Sequence, residues 1–130
     1  MSIHPHETKM IGTGIASAFS DDYVLMIKER GSTGTKGMGV RAGIVDSGFR
    51  DEIRVVITNH NDRNLLIIKE EYIDEIKGFY SNAIIYPYEK AIAQALLLPV
   101  PKVEAEELDY DDLTQIKSKR GLGMLGSSGK

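Results

Sequence analysis

Short runs of aliphatic and β-branched residues recur along the chain, at positions 9–15, 23–28, 43–45, 53–58, 65–68, 83–86 and 92–100. Runs of this length, each bounded by turn chemistry, predict strands of a β-sandwich or barrel. Between them lie Phe19-Ser-Asp-Asp22, Gly31-Ser-Thr-Gly34, Asp46-Ser-Gly48 and Asn59-His-Asn-Asp62. These residues tolerate positive φ or bond their own backbone through a short side chain, so each cluster reads as a turn. The Asp46 turn is expected at the tip of a hairpin. Two stretches break the pattern. Residues 70–78 carry Tyr72, Ile73 and Ile76 at helical spacing, and residues 104–117 carry Leu108, Leu113 and Ile116 among acids; both are expected as short helices.

The 130 residues suffice for one domain with a real core and exclude a second catalytic domain. A net charge of −3 gives no global attraction to nucleic acid or anionic membrane, so any phosphate binding must be local. There is no cysteine, which excludes disulfide scaffolds, zinc-thiolate sites and thiol catalysis, and is compatible with a cytoplasmic setting. The longest apolar run, residues 91–100, is interrupted by Gln94 and far too short to span a bilayer. With no hydrophobic signal stretch at the start of the sequence, the chain is expected to be soluble, with neither a membrane nor a nucleic-acid partner.

Chemistry concentrates in three places. Asp46 follows an apolar strand and precedes a glycine turn, where a carboxylate can be held rigid at a cleft and take a proton from water; Phe49 beside it can offer a ring face to a sugar or base. A lone Asp-Ser-Gly is more often simply a turn bonded to its own backbone. Upstream, Glu29-Arg-Gly-Ser-Thr-Gly34 places an arginine, glycines and hydroxyls together as a local anion site in outline, without the spacing of a Walker P-loop. The last stretch, Arg120-Gly-Leu-Gly-Met-Leu-Gly-Ser-Ser-Gly129, has too little side chain for a core but many donors for phosphate oxygens. His4, His6 and His60 lack metal spacing and read as surface or turn residues. The acidic stretch 104–112 reads as a solvated connector to the tail.

In order, Glu29-Arg-Gly-Ser-Thr-Gly34, Ala42-Gly-Ile-Val-Asp-Ser-Gly-Phe-Arg-Asp-Glu52, Ile92-Ala-Gln94 and the Arg120 tail resemble four of the five motifs of the homotrimeric dUTP diphosphatase (dUTPase) family. The stretch His6-Glu-Thr-Lys-Met-Ile-Gly-Thr-Gly-Ile15 resembles the strand that precedes the second motif. The resemblance implies an all-β, jelly-roll-like barrel (residues 1–117) with one or two short helices and a flexible C-terminal arm (residues 118–130) acting as an active-site lid. It implies a homotrimer whose subunits share active sites, and Mg²⁺-assisted hydrolysis of dUTP to dUMP and pyrophosphate. Asp46 would activate the water that attacks the α-phosphorus, and Phe49 would pack on the deoxyribose and exclude a 2′-hydroxyl. Gly43, Ile44 and Arg54 would surround uracil. Arg30, Gly31, Ser32 and Gln94 would meet the phosphates, with Arg120, Ser127 and Ser128 closing over them and Leu125 covering the base. Magnesium would arrive mainly through phosphates and water, with no dedicated protein cage.

The sequence departs from the pattern in places. The family's first motif, an Ala-Gly-x-Asp stretch, would precede residue 1, and a longer natural chain is the expectation. Phe49 stands where tyrosine is usual, Gly31 replaces a serine that Ser32 would have to replace in function, and Glu89-Lys-Ala91 stands for Gly-Asp-Arg. The alternative from another class is a non-catalytic trimer that binds a deoxynucleotide or a partner. Deamination, the activity of dCTP deaminase relatives, is disfavoured because Val56 occupies the position of their glutamate base.

Overall fold

The computed structural model describes residues 1–123. Its strands are β1 (Ser2–Ile3), β2 (Thr8–Gly12), β3 (Tyr23–Lys28), β4 (Met38–Arg41), β5 (Ile44–Val45), β6 (Arg54–Asn59), β7 (Leu65–Ile68), β8 (Ile84–Pro87) and β9 (Gln94–Pro99). Three short helices join them: α1 (Gly31–Gly34), α2 (Ile73–Lys77), preceded by a 3₁₀ turn over Glu70–Tyr72, and α3 (Tyr110–Gln115). This is the expected all-β, jelly-roll-like architecture, and both expected helices form, the second trimmed to α3. The sequence reading missed β1, β4 and α1, which are too short, or too poor in apolar residues, to register as periodic runs.

The strands form three three-stranded sheets with orders β1-β7-β8, β2-β6-β4 and β5-β3-β9. All described pairings are antiparallel except β7 with β8, whose 15-residue connection carries α2. Alternation explains the core. In β6, Val55 and Ile57 point inward, while β2 alternates exposed and half-buried positions. Ile3, Ile27, Met38, Ile53, Leu65, Ile67 and Tyr86 complete the buried cluster. Asn59 is fully buried yet satisfied: its Nδ2 donates to the carbonyls of Ile3 (3.0 Å) and Arg63 (2.8 Å), and its Oδ1 accepts from the Asn61 amide (3.1 Å). A cavity of about 650 Å³ opens beside this core, with mainly aliphatic walls that include Ile11, Leu25, Val55, Ile67 and Ile92.

One expectation is corrected. The Asp46 turn is not a hairpin tip, because β5 pairs with β3 whereas β6 pairs with β2 and β4. Two-residue β5 leaves its sheet at once, and residues 46–53 cross to the next sheet. The turn therefore stands between sheets, where it forms the wall of a cleft instead of a ladder end.

Candidate active site

The cleft has a volume of about 310 Å³ and is lined by Met10, Ala42, Ile44, Asp46, Phe49 and Arg54, with Asp51, Glu52 and the flanking Val45 and Ile53. It thus gathers the expected water-activating carboxylate, the expected sugar platform and two of the three expected uracil neighbours. Phe49 keeps 42% of its surface exposed, so an aromatic face is available to a ligand instead of being spent on the core.

The turn carrying Asp46 is fastened locally. The Phe49 amide donates to the Asp46 carbonyl (3.1 Å). The Arg50 guanidinium then caps the turn, with Nη1 donating to the carbonyls of Phe49 (3.0 Å), Ser47 and Ser17 (3.4 Å). The Asp46 carboxylate itself makes no hydrogen bond to any described residue, which leaves both oxygens available to a water or a substrate group.

Gly43 sits behind the cleft rather than in it. Its carbonyl accepts the Ile27 amide at 2.6 Å, and a methyl group on its α-carbon would collide with the Ile27 carbonyl. Only glycine lets the 42–45 segment lie this close to β3. The preceding Ala42 takes φ +46, a left-handed conformation unusual for alanine.

Arg30, Gly31, Ser32 and Gln94 form a separate corner. Gln94 opens β9 opposite Lys28, and its Nε2 donates to the Glu29 carbonyl (2.9 Å). Arg30 Nη1 donates to the Ala91 carbonyl (3.0 Å). The expected second and fourth motifs are therefore bonded to each other, each through one of several available donors. Gly31 and Ser32 form the exposed start of α1. The turn expected there is tightened into one helical turn by Thr33, which the sequence reading passed over. Thr33 is fully buried, and its Oγ1 accepts from the Arg30 amide (2.9 Å) and donates to the Arg30 carbonyl (3.0 Å). None of this corner lines the Asp46 cleft of the same chain. Arg120 lies in a turn where its Nε donates to the Gly123 carbonyl (3.0 Å) and Gly121 takes φ +54. Leu125, Ser127 and Ser128 lie outside the described residues.

Sequence reasoning also missed Glu52, two positions before Arg54 and hence on the same side of an extended chain. Glu52 Oε2 accepts from Arg54 Nε (3.3 Å) and Oε1 from the Gly14 amide (2.8 Å). The Gly14 amide bond is the chief cause holding its carboxyl below the usual glutamate range; desolvation opposes the shift, and Arg54 reinforces it. The i, i+2 pair of opposite charges was the available signal.

A family model described as dUTPase matches residues 1–76, well over half of the chain. The chain belongs to the dUTPase family. The deoxyuridine 5′-triphosphate nucleotidohydrolase of Nautilia profundicola is 34% identical over 131 residues, which cover 98% of this chain and 76% of that protein. The enzyme of the same name from Hydrogenobaculum sp. is 32% identical over 130 residues, covering 98% and 74%. Among solved structures, a G164S mutant of the Staphylococcus bacteriophage 80alpha dUTPase with dUpNHpp superposes with a TM-score of 0.72 at 20% identity, covering 100% of this chain and 80% of that one. At that identity the superposition establishes the fold alone. The family model covers the Arg30 and Asp46 motifs, while Gln94 and Arg120 fall within the stretch aligned to the full-length relatives.

A magnesium ion fits the chemistry of this donor set. Among the described residues no group of three or more His, Asp, Glu or Cys side chains converges on a point. The cleft's acidic oxygens come from Asp46, Asp51 and Glu52, and those of Glu52 already accept from Gly14 and Arg54. Carboxylate oxygens of this kind suit a hard cation such as magnesium. No helix among the described residues is long and apolar enough to cross a membrane.

Proposed function

We propose that the protein hydrolyses dUTP to dUMP and pyrophosphate. The observation that carries this reading is the pairing of an unengaged Asp46 carboxylate with the exposed Phe49 ring in one cleft, on a chain of the dUTPase family. Asp46 takes a proton from water as its oxygen attacks the α-phosphorus; that new P–O bond forms while the bond to the α,β-bridging oxygen breaks and pyrophosphate leaves. Because Arg50 ties the turn at the Ser47 and Phe49 carbonyls and anchors it to the Ser17 carbonyl, the carboxylate needs little reorganisation to act. Phe49 packs against the deoxyribose, where a 2′-hydroxyl would have no space. Ile44 and Arg54 face the base, and Gly43 supports them from behind the cleft by its close packing on β3.

The phosphates are assigned to Arg30, Ser32 and Gln94, with Arg120 as the further described candidate. Since that corner lies apart from the cleft of its own chain, the complete site draws on more than one copy, in keeping with a trimer. A bound magnesium supplies charge neutralisation on the phosphate oxygens. The arm of residues 118–130 is assigned to closure over the nucleotide.

The test is pyrophosphate release from dUTP by wild type and Asp46→Asn. The asparagine variant is expected to lose about 10³-fold in kcat, as removal of a general base does, with its thermal midpoint unchanged. Binding of dUTP without pyrophosphate release by wild type would leave a non-catalytic deoxynucleotide-binding module.

A further inference from the structure

The Gly12-Thr-Gly14 segment at the end of β2 carries no role in the reading above, yet it is tied across the chain to the cleft. The Gly14 amide donates to Glu52 Oε1 (2.8 Å), Thr13 Oγ1 donates to the Ile53 carbonyl (2.6 Å), and the Ile53 amide donates to the Ile15 carbonyl (2.8 Å). Both glycines bear on how that carboxylate is seated. Gly14 takes φ +69, and a methyl group at Gly12 would stand 2.7 Å from Glu52 Oε1. The segment is thus shaped around one carboxylate, whose second oxygen accepts Arg54 Nε at 3.3 Å.

Arg54 is the only cationic side chain among the described residues lining the cleft, against three carboxylates from Asp46, Asp51 and Glu52. The base and sugar assigned to this cleft meet that guanidinium as the one cationic group there, so their binding depends on where it is held. We infer that Glu52 is a positioning residue: seated on the Gly12-Thr13-Gly14 segment, it orients the Arg54 guanidinium toward the bound nucleotide and thereby sets affinity for dUTP. This rests on the cleft being the nucleotide site proposed above. The guanidinium contact is made in the ground state and the transition state alike, so its loss falls on KM and not on kcat.

The sign of the effect separates this role from a plain charge effect. Glu52→Gln removes a negative charge from a site that binds a polyanion; if Glu52 acted only through that charge, KM would fall. If Glu52 positions Arg54, the glutamine amide keeps an acceptor for Gly14 but presents an N–H donor to the arginine, and KM rises. The expected rise is about three- to fivefold, the scale of a partly exposed ion pair, with kcat within about twofold. Gly12→Ala, which displaces the same carboxylate from below, is expected to raise KM similarly. In an Arg54→Ala background, Glu52→Gln should add almost nothing.

A substrate-free readout separates this inference from the function on which it rests. The Arg54 Nε–H resonance of the whole protein, assigned through Arg54→Lys, is expected to be distinct in wild type and to merge with the exposed arginines in Glu52→Gln. An unchanged Arg54 signal, a fall in KM, or an equal Glu52→Gln effect with and without Arg54 would each overturn the proposal. Should Gly12→Ala fail to fold, Glu52→Gln carries the test, since it leaves the strand pairing intact. A wild type that releases no pyrophosphate while the Arg54 signal shifts as expected would defeat the function and leave the Glu52–Arg54 coupling standing.

Discussion

The two walls of the cleft are held in different ways. The Asp46 wall is fastened mainly by neighbours in sequence, the Phe49 amide on the Asp46 carbonyl and Arg50 on the carbonyls of Ser47 and Phe49, with one longer bond from Arg50 to the Ser17 carbonyl (3.4 Å). The Glu52–Arg54 wall is fastened by partners 38 to 40 residues away, through Gly14 and Thr13. The contrast teaches that the carboxylate proposed to react sits in a rigid frame that a turn provides at little cost in loop closure, whereas the one cationic group of the cleft is set by the packing of separate strands.

The largest effect is expected at Gly43, where the segment that leads into the Asp46 wall packs against β3. Gly43→Ala drives a methyl group into the Ile27 carbonyl and forces β5 away from β3. A loss of about 3 kcal/mol is expected, seen as a thermal midpoint lowered by roughly 10 °C. Arg50→Ala attacks the local frame instead. It should lower kcat about tenfold by loosening the carboxylate while leaving chemical denaturation nearly unchanged; an equal loss of stability would mean that the turn is structural and the contrast between the walls is false.

Acid should separate the walls next. The folded-state pKa of Glu52 is lowered, so its contribution to stability is fully present above the unfolded-state value and is lost as pH falls through the folded one. Wild type is therefore expected to be more stable than Glu52→Gln at neutral pH, and the gap should close below about pH 4, as read by urea unfolding across pH. A gap that persists in acid would assign the effect to packing instead of charge. The smallest effect belongs to Ala42, whose φ of +46 is strained for a residue with a β-carbon. Ala42→Gly should relieve that strain against glycine's entropy, for a net gain of about 0.5 kcal/mol, measurable as a small rise in thermal midpoint.

Much of the candidate site could be picked out in the sequence because its parts are short, chemically distinctive and in the order of the family's motifs. Asp46, Phe49, Arg30 and Gln94 each stand beside turn residues or at a strand end, where a polar group among apolar runs stands out. The bonding of Arg30 to Ala91 and of Gln94 to Glu29 was not readable, because it joins segments more than 60 residues apart. Thr33 and Glu52 escaped for a related reason. A threonine in a Gly/Ser turn and a glutamate in a charged stretch look solvated until the fold buries the one and seats the other on Gly14.

By itself the sequence determined the β class and most strand positions, since these follow from apolar periodicity and turn chemistry within a few residues; Asp46 was singled out as the candidate carboxylate only through the resemblance of the ordered motifs. Tertiary structure alone decided that β5 joins β3 and not β6, which converts an expected hairpin tip into a cleft wall. It alone also decided which strand end supports Glu52 and Arg54. Strand partners are chosen by burial of whole sheet faces, and that energy belongs to no single segment of the chain.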